Sequence, residues 1–146
     1  TKILRRFPAG EQHQLIEWSP DGAWGLAYGS NNIIDRDGNI LIRLPSVSFA
    51  NFIALPEKCT VAAKGIYCAA PKNSDGLTLD NYAKRAAYTL DDIYFIAVNM
   101  RERLAEAKLI FASEEKLPLD AVNLQLGQKN LYLINRYDQR LYGITL

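Results

Sequence analysis

An all-β fold, a β-propeller of four-stranded antiparallel blades, is the architecture this sequence predicts, and three observations predict it. A strand–turn–strand pattern occurs three times, over 18–28, 59–68 and 124–134. An internal repeat of this kind decides architecture before local detail does. The copies, aligned on their second strands at Gly25, Ile66 and Leu131, step by 41 residues from 25 to 66 and by 65 from 66 to 131. Blades run about 40–45 residues, so the first step fits and the second carries an insertion, placed at 71–90. Finally, short alternating apolar runs bounded by Gly, Pro, Asn and Asp recur along the whole chain, the signature of strands and tight turns.

Each element follows from these signals. An orphan strand is expected over 2–7, either closing a ring from the N-terminal side or ending a preceding blade. The first blade, 8–46, takes strands at 14–18, 23–28, 33–34 and 40–44. Its turns are Ser19-Pro20-Asp21-Gly22 and 35–39, and Pro45 ends the last strand because it cannot donate to a ladder. The second blade, 47–116, takes 51–54 with 58–61, then 66–70, 92–98 and 107–112. Residues 101–107 also read as a helical turn, since Arg, Glu, Leu and Ala favour helix, but a long hairpin is preferred. The third blade, 117–146, takes 121–126, 131–135 and 141–146. The insertion 71–90 opens with turn residues, after which Thr78 caps a short helix over 79–87.

About three blades are too few for a ring, since closed propellers have about 4–8. The chain of 146 residues, read as one domain, is therefore expected to be the C-terminal part of a larger propeller. It begins at Thr1, which fits a processed product or a fragment, with a membrane anchor outside this chain. The alternative is that copies assemble through their open blade edges. A net charge of +1 and an unclustered spread of Lys and Arg argue against nucleic-acid binding.

The two cysteines, Cys59 and Cys68, flank the turn 62–65 symmetrically. If Val61 pairs with Ile66, Cys59 sits opposite Cys68, close enough for a cross-strand disulfide after slight adjustment. Gly65 is expected at a left-handed turn position. A disulfide implies an oxidising compartment. Two buried free thiols are the alternative.

Catalytic signals are weak. The one histidine, His13, has no serine motif around it. Residues 35–39 resemble the start of a calcium loop but lack the terminal acid, and a hairpin turn explains them. Glu114 and Glu115 could form an acidic rim with Asp91 and Asp92, but solvated loop charge is the preferred reading. No metal site, cofactor or catalytic residue is expected. The insertion is the best place for function: Tyr82, Lys84, Arg85 and Tyr88 would project from its helix, and tyrosine and arginine suit interface hot spots. A helix packed onto its own blade is the competing reading.

The turn Ser19-Pro20-Asp21-Gly22 after Trp18 resembles the TolB-type and WD40-like propeller repeats of bacteria. Residues 58–146 look more closely like the C-terminal blades of a group of bacterial WD40-like propeller proteins. The shared elements are Lys58-Cys59, Ile66-Tyr67-Cys68-Ala69, Pro71-Lys72-Asn73, Asp91-Asp92-Ile93, Asn123-Leu124 and Leu141-Tyr142. The third repeat departs from the pattern, with Leu126-Gly127-Gln128 in place of Ser-Pro-Asp. The resemblance implies an extracytoplasmic location and supplies no catalytic residues. The expectation is a non-enzymatic propeller scaffold that binds a protein or a cell-surface component. The alternatives are a propeller enzyme or glycan- or peptide-binding module with its site in missing blades, or a structural subunit of an envelope assembly.

Overall fold

The computed structural model of this chain describes residues 2–4, 15–44, 54–72, 81 and 88–146. All twelve regular elements among the described residues are strands, and they form three separate antiparallel sheets. Sheet 1 runs in chain order through β1 (Lys2–Leu4), β2 (Leu15–Trp18), β3 (Gly25–Ala27), β4 (Asn32–Ile34) and β5 (Ile40–Arg43). Sheet 2 holds β6 (Cys59–Ala62), β7 (Gly65–Pro71), β8 (Asp91–Asn99) and β9 (Leu104–Phe111). Sheet 3 holds β10 (Ala121–Leu126), β11 (Asn130–Asn135) and β12 (Arg140–Thr145).

Local chemistry sets the hairpins. Between β2 and β3 the Ser19 carbonyl accepts from Gly22 N at 2.8 Å, and Asp21 Oδ1 accepts from Ser19 Oγ at 2.6 Å and from Ala23 N at 3.0 Å. Gly22 sits at φ 66°, where a glycine is least strained. Between β4 and β5 the Asp35 carboxylate is consumed by its own loop. It accepts from Asp37 N at 2.9 Å, Asn39 N at 2.8 Å and Asn39 Nδ2 at 2.9 Å, so the segment 35–39 is a side-chain-closed turn. The β8–β9 connection is a hairpin and not a helical turn, because Asn99 Oδ1 takes the amides of Arg101 and Glu102, both at 3.1 Å.

Sheet 2 lies between the other two, and the two-residue period of its strands divides its side chains between them. Ile66, Cys68, Ala70 and Ile96 face sheet 1 and pack with Trp24, Leu26, Tyr28, Ile33 and Ile42. Tyr67, Ala69 and Ile93 face sheet 3 and pack with Leu119, Ala121, Leu124, Leu131 and Leu133.

Several expectations are corrected here. The chain is not a β-propeller, and the resemblance to WD40-like and TolB-type repeats does not carry through. The sheets have five, four and three strands and none closes into a ring. The physical reason lies in the termini. β1 pairs antiparallel with its neighbour β2, from Lys2 opposite Glu17 to Leu4 opposite Leu15, so it completes sheet 1 locally and leaves the β12 edge of sheet 3 without a described strand. The propeller scaffold function falls with the ring. Ala54 and Leu55, expected in or beside a strand over 51–54, are buried without strand pairing. Ala54 N donates instead to Asn31 Oδ1 at 2.8 Å. The helix expected over 79–87 lies outside the described residues apart from Asn81. His13 also lies outside them.

The cysteine expectation holds. Cys59 pairs with Cys68 and Val61 with Ile66, and the sulfurs are bonded with Cα atoms 4.2 Å apart. The pair is non-hydrogen-bonded: the ladder bond runs from Ala69 N to Lys58 O at 2.8 Å, and at such positions opposed residues approach most closely. Gly65 serves differently from expectation. Its φ is not in the left-handed region; a Cβ there would lie 2.2 Å from the Ile96 carbonyl oxygen. The need is for close backbone approach between β7 and β8.

Candidate functional site: a buried ion cluster beneath an exposed aromatic stack

Three loop–strand junctions converge where sheets 2 and 3 meet. Lys58 precedes β6, Asp91 opens β8, and Asp120 precedes β10. All three side chains are fully buried. Lys58 Nζ donates to Thr89 Oγ1 at 2.8 Å, to Asp120 Oδ1 at 2.8 Å, to the Ala121 carbonyl at 3.1 Å and to Asp91 Oδ2. Asp120 Oδ2 accepts from Arg136 Nη1 at 3.0 Å and Thr89 N at 3.1 Å. Two cations thus face two carboxylates, which makes the cluster neutral in sum. Isolated charges at this depth would cost several kcal/mol each.

The two acids are not equivalent. Both oxygens of Asp120 are hydrogen-bonded. Asp91 Oδ2 accepts from Lys58 and from Ala121 N at 2.8 Å, whereas Asp91 Oδ1 is buried with no hydrogen-bond partner among the described residues. Burial pushes the Asp91 carboxyl above the usual range, against the opposing charge of Lys58.

The backbone around the cluster is tied down by Asn135. Its Oδ1 accepts from Asp120 N at 3.1 Å and Tyr137 N at 3.3 Å, and its Nδ2 donates to the Pro118 carbonyl at 3.0 Å. Arg136 N donates to the Asp120 carbonyl at 2.9 Å. These bonds hold the β11–β12 turn against the segment leading into β10.

Above the cluster the surface is aromatic. Tyr88, 60% exposed, stacks on Tyr137 with centroids 5.2 Å apart and planes 26° apart. The Arg136 guanidinium lies 4.7 Å from the Tyr88 centroid, within cation–π range. The Tyr137 hydroxyl donates to the Thr89 carbonyl at 3.1 Å. Partial burial, and then the Asp120 and Asp91 charges, raise the Tyr137 phenol above its ordinary range. The stack is therefore anchored through Arg136 and Tyr137 to the buried charges below it.

Elsewhere a cleft of about 420 Å³ opens between β2, β6 and the outer face of sheet 3. Glu17, Thr60, Asn123, Gln125, Tyr132 and Leu141 contribute to its walls.

Of the residues predicted from sequence for binding, Tyr88 is exposed in the stack just described, while Tyr82, Lys84 and Arg85 lie outside the described residues. Solvated loop charge fits the exposed Glu114 and Glu115 but not the other two acids: Asp91 is buried in the cluster, and Asp92 pairs with Lys72 at 3.4 Å and accepts from Ser113 N at 2.9 Å. Sequence reasoning missed Lys58, Asp120, Arg136 and Tyr137 as members of one site. No spacing rule links positions 58, 91 and 120, because their convergence depends on how two sheets stack. Comparison of the chain with protein-family models, with curated proteins and with solved structures returned no match.

Proposed function

We propose that this chain is a non-covalent binding module that recognises another polypeptide through the face formed by Tyr88, Tyr137 and Arg136. One observation carries the reading: Tyr88 is 60% exposed and yet its orientation is set by contacts with the Tyr137 ring and the Arg136 guanidinium. Aromatic and arginine side chains supply most of the energy in protein interfaces. A ring already held in place loses less conformational freedom on binding than a free one. An apolar or aromatic side chain of the partner would lie against Tyr88, with Arg136 at its margin. Tyr82, Lys84 and Arg85, which precede Tyr88 in the chain, are proposed as further binding residues on the sequence argument alone.

The Cys59–Cys68 disulfide supports placing this activity in an oxidising compartment outside the cytoplasm. The binding itself requires no cofactor and no chemistry.

A random peptide library displayed on phage and selected on the intact chain tests the reading. Selected peptides should lose at least tenfold in affinity for Tyr88→Ala and for Tyr137→Ala. Peptides that bind both variants, and a fourfold alanine variant at Tyr82, Lys84, Arg85 and Tyr88, as tightly as the parent chain would overturn it.

A further inference from the structure

The geometry points to an autocatalytic cross-link inside this chain: an amide bond between Lys58 Nζ and Asp91 Cγ, formed with loss of water and assisted by the Asp120 carboxylate. No binding partner is needed for it, and it does not depend on the reading above.

The argument begins with placement. An amine and a carboxyl group are held in direct contact, both fully buried. Such fixed juxtaposition replaces a bimolecular encounter, and effective molarities of about 10⁵–10⁸ M have been measured for well-oriented groups. Desolvation then favours the neutral, reactive form of the Asp91 carboxyl. Passing one proton from the Lys58 ammonium to the Asp91 carboxylate converts a buried ion pair into a neutral amine and a neutral acid, which a dry interior tolerates better. Burial acts on Asp91 in that direction. The Asp91 oxygen without a partner is consistent with an acid that the fold does not hold as a fully solvated anion.

Asp120 is placed for a different task. Arg136 and the Thr89 amide hold one of its oxygens, and the other faces Lys58 Nζ at 2.8 Å. It is the base within reach of the attacking nitrogen.

The step balances without another reactant. The nitrogen lone pair of Lys58 attacks Asp91 Cγ, and a C–N bond forms. Asp120 accepts a proton from the nitrogen and delivers it to the departing oxygen. One C–O bond breaks, water leaves, and Asp120 is again a carboxylate. The product retains the Asp120–Arg136 pair, one charge against one, with a neutral amide where two buried charges stood. That removal of charge from the interior is the driving force.

The test is the intact mass of the purified, denatured and reduced chain, followed by peptide mapping. The expected result is a species one water lighter than the sequence, with the peptides around Lys58 and Asp91 joined. The Lys58→Arg variant, which keeps the cation, should show the full mass. The Asp120→Asn variant should show the full mass or at least a tenfold loss of cross-linked species. Asp-Gly pairs at 21–22, 37–38 and 75–76 can also lose water by forming cyclic imides, but hydroxylamine opens those and leaves an amide cross-link intact. A full-mass parent chain, a water loss that survives Lys58→Arg, or a join mapped to Asp120 would each overturn the proposal. Full cross-linking in Asp120→Asn would overturn the role given to Asp120.

Discussion

The Tyr28 hydroxyl donates to Glu17 Oε2 at 2.5 Å, and together the two side chains cover the open edge of sheet 2. Tyr28 OH also lies 3.5 Å from the Cys59 carbonyl oxygen, and Glu17 Oε1 accepts from Val61 N at 3.4 Å. Cys59 and Val61 are the β6 residues whose backbone groups point away from β7. An edge strand with unpaired backbone groups invites pairing with another chain; here two side chains of sheet 1 occupy those groups.

Removing the Tyr28 hydroxyl should therefore destabilise the fold by about 1–2 kcal/mol, since the part-buried Glu17 carboxylate loses its donor. Urea denaturation of Tyr28→Phe measures it. Burial, and then the charge of Glu17, hold the Tyr28 phenol well above its ordinary range. The folded state thus keeps a proton that the unfolded chain releases at about pH 10. The contribution is fully present below that pH and is lost as pH rises above it. Tyr28→Phe should be less sensitive to pH on this alkaline side than the parent, and an equally steep decline in both would count against the assignment.

The disulfide closes a short loop, Cys59 to Cys68, separated by 9 positions. Short loops gain less from cross-linking than long ones, and about 2–3 kcal/mol is expected. Reduction should lower the urea midpoint accordingly, while the far-ultraviolet dichroism of the strands is retained, because the β6–β7 register is also held by its ladder and by Gly65.

Two glycines should respond differently to alanine. Gly65→Ala places a Cβ 2.2 Å from the Ile96 oxygen, forces β7 and β8 apart, and should cost about 1–3 kcal/mol or more. Gly38 has φ +86° and open space where a Cβ would stand. Gly38→Ala should cost only the backbone strain, about 1–2 kcal/mol. Thermal melts of the two variants compare them directly.

Lys58→Met leaves Asp91 and Asp120 facing one another with Arg136 as the remaining cation of the cluster, and should cost about 3–5 kcal/mol at neutral pH. Adding Asp91→Leu removes the uncompensated charge, so the double variant should be more stable than Lys58→Met alone. Burial raises the Asp91 carboxyl, so its ionisation opposes folding: stability is fully present below its unfolded value and is lost as pH rises through the folded one. Lys58→Met should accordingly gain stability as pH is lowered from neutrality towards the carboxylate range. A monotonic loss over that interval would contradict the assignment.

What was legible in the sequence is local. Turn residues such as Ser19, Asp21 and Gly22 specify their hairpin within a few positions, and the apolar run 66–70 after the turn 62–65 identifies a strand. The cysteine register followed from counting across one turn. Tyr88 was legible as an exposed aromatic but not as half of a stack, because Tyr137 is distant in sequence.

The sequence by itself determined an all-β chain of short antiparallel hairpins and the register that sets Cys59 opposite Cys68, since turn chemistry and two-residue alternation act between neighbours and need no knowledge of the whole. Only the tertiary structure decided that the sheets stand apart without closing a ring, and that Lys58, Asp91 and Asp120 meet beneath Tyr88 and Tyr137. Those outcomes depend on which sheet faces bury against one another and on β1 completing its own sheet. Both are settled by long-range packing, which leaves no periodic mark on the residues it brings together.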